Sequence, residues 1–189
     1  MSELDFDLAV LKNWLDGAVG DSADISALPM RGGASCEMFD LQRGDGRFVI
    51  RRAPVTAVTD TAHNVAREYQ VIRALTGSKV RVPELLAVCE DKEVLGAPFY
   101  VMRYIDGEVI RRKLPERFQA SPETQPSIGN ELIDALAELH AFDWRGTQME
   151  QLAKPERFLE RQVERWTSQL EGYRCRELEG VDEVANWLE

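Results

Sequence analysis

Apolar residues recur with two different periods along the chain, and the change of period divides it. Residues 7–19, DLAVLKNWLDGAV, place Leu8, Leu11 and Leu15 at helical spacing with Trp14 alongside, which predicts a short helix. The stretch GDSADISALPM that follows has no clear period and reads as a connector. Residues 37–42 and 47–52 then alternate apolar and polar positions on either side of Gly44-Asp45-Gly46, a hairpin signature. APVTAVTDT reads as a loop. AHNVAREYQVIRALTG returns to helical spacing over 63–76 and is stopped by Gly77. VRVPELLAVCED and APFYVMRYIDG predict two further strands, joined by a turn near Asp91-Lys92.

After Asp106-Gly107 the strand signals end. LPERFQASPETQPS is a polar, proline-bearing link. Residues 127–142 carry Leu132, Leu136 and Leu139 on one helical stripe. A second helix is predicted over 155–171, with Pro155 in its first turn and Leu159, Val163, Trp166 and Leu170 along its inner face. VDEVANWLE forms a last helix with no cap and no tail, which suggests a sequence cut inside a larger domain. The expected architecture is α+β. Residues 1–105 make a β-rich lobe with one inserted helix, and residues 106–189 make an incomplete helical lobe.

Composition narrows the classes. With 189 residues and 44% hydrophobic content the chain can build a core. No apolar run approaches the roughly 20 residues of a membrane span, and the acidic start MSELDFDLAV does not read as a targeting segment. A net charge of −10 argues against a nucleic-acid partner. It weakly favours a cationic ligand. Cys36, Cys89 and Cys175 are odd in number and far apart, which predicts free thiols and a cytoplasmic setting.

Three features carry candidate chemistry. On the helix 63–76, Val65, Tyr69, Val71, Ile72 and Leu75 fill one arc, with Arg67, Gln70 and Arg73 opposite. Glu68 falls inside the apolar arc. Either it reaches back to water from the edge, or it is half of a buried ion pair. In RFVIRR, alternation puts Phe48, Ile50 and Arg52 on one face and Val49 and Arg51 on the other. Arg51 is then the cation directed into a semi-enclosed space, unless it is a solvated strand-end charge, and Arg52 is expected at the surface. Gly32-Gly33-Ala34-Ser35 precedes a strand. Alone it reads as a turn, but its glycines also allow close backbone approach to phosphate, with the Ser35 hydroxyl as a donor. His140 shares the stripe of Leu136 and Leu139 and is expected in the core, as are Trp166 and Trp187.

In order, RGGAS, FVIRRAP, REYQVIRAL, VRVPELL, APFYVMRYIDG and ALAELHAFDW resemble the N-terminal part of the aminoglycoside phosphotransferase family, whose fold is protein-kinase-like. The resemblance runs from about residue 28 to 189. Arg51, where many members have Lys, and RFLERQVERW are similar to the branch that includes the phosphotransferase-like domain fused to acyl-CoA dehydrogenases.

The resemblance implies ATP- or GTP-dependent phosphoryl transfer to a small-molecule hydroxyl, with an aminoglycoside-like compound or a hydroxyacyl thioester as acceptor. It implies a loop over the phosphates at Gly32, Gly33, Ala34 and Ser35. Arg51 would contact phosphate with Glu68 as its ion-pair partner, and Val49 would touch adenine. Met102 would stand at the back of the pocket, while the Arg103 carbonyl and the Ile105 amide would face the adenine edge. The family's H-G-D-x-x-x-x-N loop is absent. In HAFDW the spacing of His140 and Asp143 is wrong, and Gln148 stands where Asn is needed. The catalytic base and the Mg2+ ligands are therefore expected beyond Glu189, and the chain alone is expected to be inactive. The alternative is a non-catalytic nucleotide-binding or scaffolding module.

Overall fold

A computed structural model describes residues 4–30, 36–55, 64–119, 121–153 and 155–188. Its centre is a five-stranded antiparallel sheet in the order β1-β2-β3-β5-β4. The strands are β1 (Ile25–Pro29), β2 (Glu37–Arg43), β3 (Gly46–Arg52), β4 (Leu85–Cys89) and β5 (Phe99–Arg103). The alternating segments form the β2–β3 hairpin, closed by a two-residue turn in which Gly44 takes φ 53°. Glycine at the first central position of such a turn relieves the Cβ clash of positive φ. β1 occupies part of the expected connector. It is an edge strand of five residues with only Ala27 buried, too weak an alternation to stand out.

The pleat gives the sheet two different faces. Phe39, Leu41, Ile50, Phe99 and Val101 point to one side, where α1 (Leu8–Val19) lays down the fully buried Leu11 and Leu15. Trp14 meets the Phe99 ring edge-on at 4.9 Å. Asp7 caps α1 by accepting the Ala9 amide at 2.7 Å, and Gly20 ends it at φ 83°. The other side is covered by α2 (Val65–Leu75), whose Val65, Tyr69 and Ile72 pack with Tyr100, Leu85 and Met102. The expected turn near Asp91 is the short helix α3 (Lys92–Leu95), which buries Val94 and Leu95.

Past β5 come α4 (Glu116–Gln119), α5 (Gln125–His140), α6 (Glu160–Tyr173) and α7 (Val181–Leu188), with 3-10 turns at Pro122–Thr124 and Gln148–Gln151. Three expectations need correction. Helix α6 starts at Glu160, so Pro155 lies outside it, and Arg157 just ahead sits at φ 51°. Leu132, Leu136, Leu139, Leu159, Trp166 and Trp187 are exposed, not inward. His140 is exposed as well. An apolar stripe is buried only where a second element lies on it. Among the described residues the main contacts of α5 are with the 3-10 turn just before it, and those of α7 are with α6. No helix among the described residues is long and apolar enough to cross a membrane.

Candidate functional site

Alternation sends the two arginines at the end of β3 to opposite faces, and each meets carboxylates there. Arg51 points to the α2 side. Its Nε donates to Glu68 Oε2 at 2.6 Å and its Nη2 to Glu68 Oε1 at 3.1 Å, a fork-on-fork pair. Glu68 stands in the first turn of α2, a turn set by Asn64, which accepts the Arg67 amide at 2.9 Å. The carboxylate inside the apolar arc thus has its cation, and both side chains are partly buried. The hydrogen bonds it donates to Glu68 hold the Arg51 guanidinium in its charged form against the opposing effect of burial.

Arg52 overturns its expected place at the surface. It is 1% exposed and is the largest fully buried side chain. Its Nε donates to Glu37 Oε2 at 2.8 Å, its Nη1 to the Leu95 carbonyl at 2.8 Å and its Nη2 to Asp5 Oδ2 at 2.6 Å. Phe6 and Phe39 lie within 5.5 Å and 5.0 Å of the guanidinium carbon. The face shared with Phe48 and Ile50 is the α1-side core, and a charge enters a core when it is fully paired. Asp5 is 47 residues away, too far for a local pattern to announce it.

Tyr100, which the sequence reading did not single out, completes the Arg51 side. It is opposite Arg51 in the β3–β5 register and 2% exposed. Its hydroxyl donates to Glu68 Oε2 at 3.4 Å. Burial first, and the Glu68 charge second, push its pKa up to about 12, so the hydroxyl stays a donor at neutral pH. The signal was available: alternation in FYVM puts Tyr100 on the same face as Met102.

These groups line a cleft of 750 Å³ that also includes Ile72 and Met102. Val49 is buried on the same face and does not line the cleft. Arg103 is exposed past the cleft, bound to Glu84 at 3.1 Å and near the Phe48 ring. Ile105 is exposed beyond the last ladder bond, Tyr104 N–H to the Arg47 carbonyl at 3.0 Å. Gly32, Gly33, Ala34 and Ser35 lie outside the described residues. The strand they lead into does meet the site: Met38 of β2 is opposite Arg51. Cys36 is buried there, and burial pushes its thiol pKa up, with the Arg51 charge opposing.

The profile of the phosphotransferase enzyme family matches residues 26–189, a span that includes all of the sheet but its first residue, the Arg51–Glu68 pair and the helices beyond. The chain belongs to this family. Acyl-CoA dehydrogenase family member 11 of Gallus gallus is 33% identical over 159 residues, 82% of this chain and 20% of that protein. Acyl-CoA dehydrogenase family member 10 of Mus musculus is 27% identical over 180 residues, 94% of this chain and 17% of that protein. The chain spans about a fifth of the length of these curated relatives. A solved structure from Ralstonia eutropha, assigned as an aminoglycoside phosphotransferase, superposes with a TM-score of 0.70 at 29% identity. It covers 96% of this chain, which in turn covers 52% of it. The α+β architecture is that kinase-like fold, as the ordered series of family-like segments implied.

Proposed function

We propose that this chain supplies the nucleotide side of an ATP- or GTP-dependent phosphotransferase that acts on a small-molecule hydroxyl. The observation that carries the reading is the Arg51–Glu68 pair, held at the wall of a cleft between β3 and α2. Phosphoryl transfer requires little covalent help from protein, and depends on positioning and charge stabilisation. Glu68 engages Nε and Nη2 of Arg51, which leaves Nη1 to meet a phosphate oxygen from a preset direction. A fixed cation of this kind loses little freedom when the ligand arrives.

In this reading the backbone of Gly32, Gly33 and Ala34 and the Ser35 hydroxyl cover the phosphates. Met102 stands at the back of the adenine pocket, and the Arg103 carbonyl and Ile105 amide face the adenine edge. Val49, buried off the cleft lining, touches adenine only if the ligand reaches past that lining. The described residues hold no group of three His, Cys, Asp or Glu side chains fit for a divalent cation, so we assign no magnesium ligand among them. The sequence has no His-x-Asp, and the chain by itself should bind nucleotide without transferring phosphate.

Calorimetric titration with ATP tests the pairing. Arg51→Ala and Glu68→Ala should each weaken binding by about tenfold or more, the worth of a charge-assisted hydrogen bond. Unchanged affinity in both variants sinks the reading. The second reading is a nucleotide-binding module with no transferase activity, which a lack of His-x-Asp-x-x-x-x-Asn in sequence past Glu189 would favour. The two part at γ-phosphate transfer by a protein that contains this sequence.

A further inference from the structure

The charge of the cleft is opposite to that of the chain. The formal net charge is −10. Yet the charged side chains lining the cleft are Arg51, Arg67 and Arg165 against Glu68 alone, and Glu68 is already paired with Arg51. A second cleft of 820 Å³ adjoins it, with Arg67 and Arg165 lining both. Its charged lining is again three arginines, with Arg161, against one carboxylate, Glu164. The rest of its wall includes the apolar Trp144, Leu152 and Phe158. The cleft between Arg81 and α5 has the opposite balance, with Asp134, Glu138 and Asp143 against Lys79 and Arg81.

Arg67 and Arg165 are exposed at the shared edge, and among the described residues neither has a carboxylate partner. Arg43, Arg47, Arg51, Arg52 and Arg81 by contrast are all in ion pairs. Among the described residues Arg73, Arg112 and Arg176 also have no carboxylate partner, but none of them lines either cleft. Arg67 commits Nη2 to the Leu152 carbonyl at 3.2 Å, which fixes the guanidinium over the boundary of the two clefts. An arginine has five N–H donors, so most of that fork remains available. Arg165 lies 5.5 Å from the ring of its neighbour Trp166.

We propose that Arg67 and Arg165 form a subsite for an anionic acceptor, a small molecule with a carboxylate or phosphate group and an apolar portion. The anion lies between the two guanidiniums and the apolar part against Trp144 and Phe158. The subsite repels an aminoglycoside, whose amines are protonated at neutral pH. The acceptor role rests on the phosphotransferase reading; the charge preference does not.

The test is a titration of the 189-residue protein with mandelate, its uncharged amide mandelamide, and the aminoglycoside kanamycin, with and without ATP. Mandelate should bind about tenfold more tightly than mandelamide, the worth of one hydrogen bond to a charged group, and kanamycin should bind more weakly than either. R67Q/R165Q should abolish the preference for mandelate, and R67K/R165K, which keeps both charges, should retain it. Equal binding of mandelate and mandelamide, no mandelate binding, a preference that survives R67Q/R165Q, or kanamycin binding more tightly than mandelate each overturns the subsite. ATP titrated alone reports on the parent reading. Failure to bind ATP with the mandelate preference intact overturns the phosphotransferase reading and leaves the anion subsite standing.

Discussion

Arg52→Met removes a guanidinium sealed in the core and keeps most of its stem. Three partners lose their donor. The Leu95 carbonyl is in the interior and has nowhere to turn, which costs about 1–3 kcal/mol for an unsatisfied polar group. The Asp5 and Glu37 side chains are 54% and 45% exposed, so water takes over much of what Arg52 gave them. Losing a desolvated charge returns part of the penalty for burying it. The net expectation is a loss of about 1–3 kcal/mol. At about 2–4 °C per kcal/mol for a chain of this size, Tm should fall by roughly 2–12 °C. Arg52→Lys keeps the charge, but one ammonium cannot serve three directions, so it should fall between wild type and Arg52→Met. The matching Arg51→Met at the half-open cleft should cost less than about 1 kcal/mol. Urea denaturation followed by tryptophan fluorescence, with thermal melts in parallel, measures all three. If Arg52→Met is within about 0.5 kcal/mol of wild type, or more stable, the cluster is a buried ion group that a hydrophobe replaces at no loss. The account of Arg52 as the clasp between β3, β2 and the N-terminal segment then fails.

Tyr100→Phe keeps the ring and deletes the bond to Glu68, and should weaken ATP binding by about two- to fivefold in calorimetry. The same variant has a pH signature. The buried phenol titrates near 12, while an unfolded tyrosine titrates near 10. Between those values the unfolded chain ionises and the folded one does not, so stability drops as pH rises through that window, and Tyr100→Phe should flatten the drop in alkaline urea titrations. Asp16 behaves in the opposite sense. The hydrogen bond from Lys12 holds its carboxyl below the usual range, so its support is present at neutral pH and is lost as pH falls below about 4. Asp16→Asn should be less stable at pH 7 and lose part of the acid dependence in melts from pH 7 to 3. Leu15→Ala opens a hole against the sheet at a fully buried position and should cost about 2–5 kcal/mol by urea denaturation.

What the sequence revealed and hid follows the range of the interactions concerned. The β2–β3 hairpin, Glu68 on an apolar arc and the opposite faces of Arg51 and Arg52 are properties of neighbouring residues, and each stands in the structure as read. The meaning of Arg52's face was misjudged, because its acceptors come from Asp5, Glu37 and Leu95, scattered through the chain. Edge strand β1 escaped notice because one buried residue in five makes no pattern. On α6 the stripe is half-covered, with Val163 and Leu170 partly buried and Leu159 and Trp166 exposed, and the α5 leucines are exposed, since periodicity reports a face and not its cover. Arg67 and Arg165 lie almost a hundred positions apart, and only the fold shows that they share an edge.

Two consecutive arginines on a strand also create a folding hazard. Either guanidinium could take the seat beside Glu68, so the cations themselves do not specify the phase of β3. A hairpin slipped by one residue could put Arg52 beside Glu68, but it would turn Phe48 and Ile50 onto the α2 side and Ala53 into the clasp. The tight turn at Gly44-Asp45 and the pairing of Phe39 with Ile50 exclude that arrangement. One residue inserted in the turn would therefore do more harm than the loss of either arginine, because it would invert the greasy and charged sides of the sheet together. This hairpin should tolerate substitution in its strands far better than any change in the length of its loop.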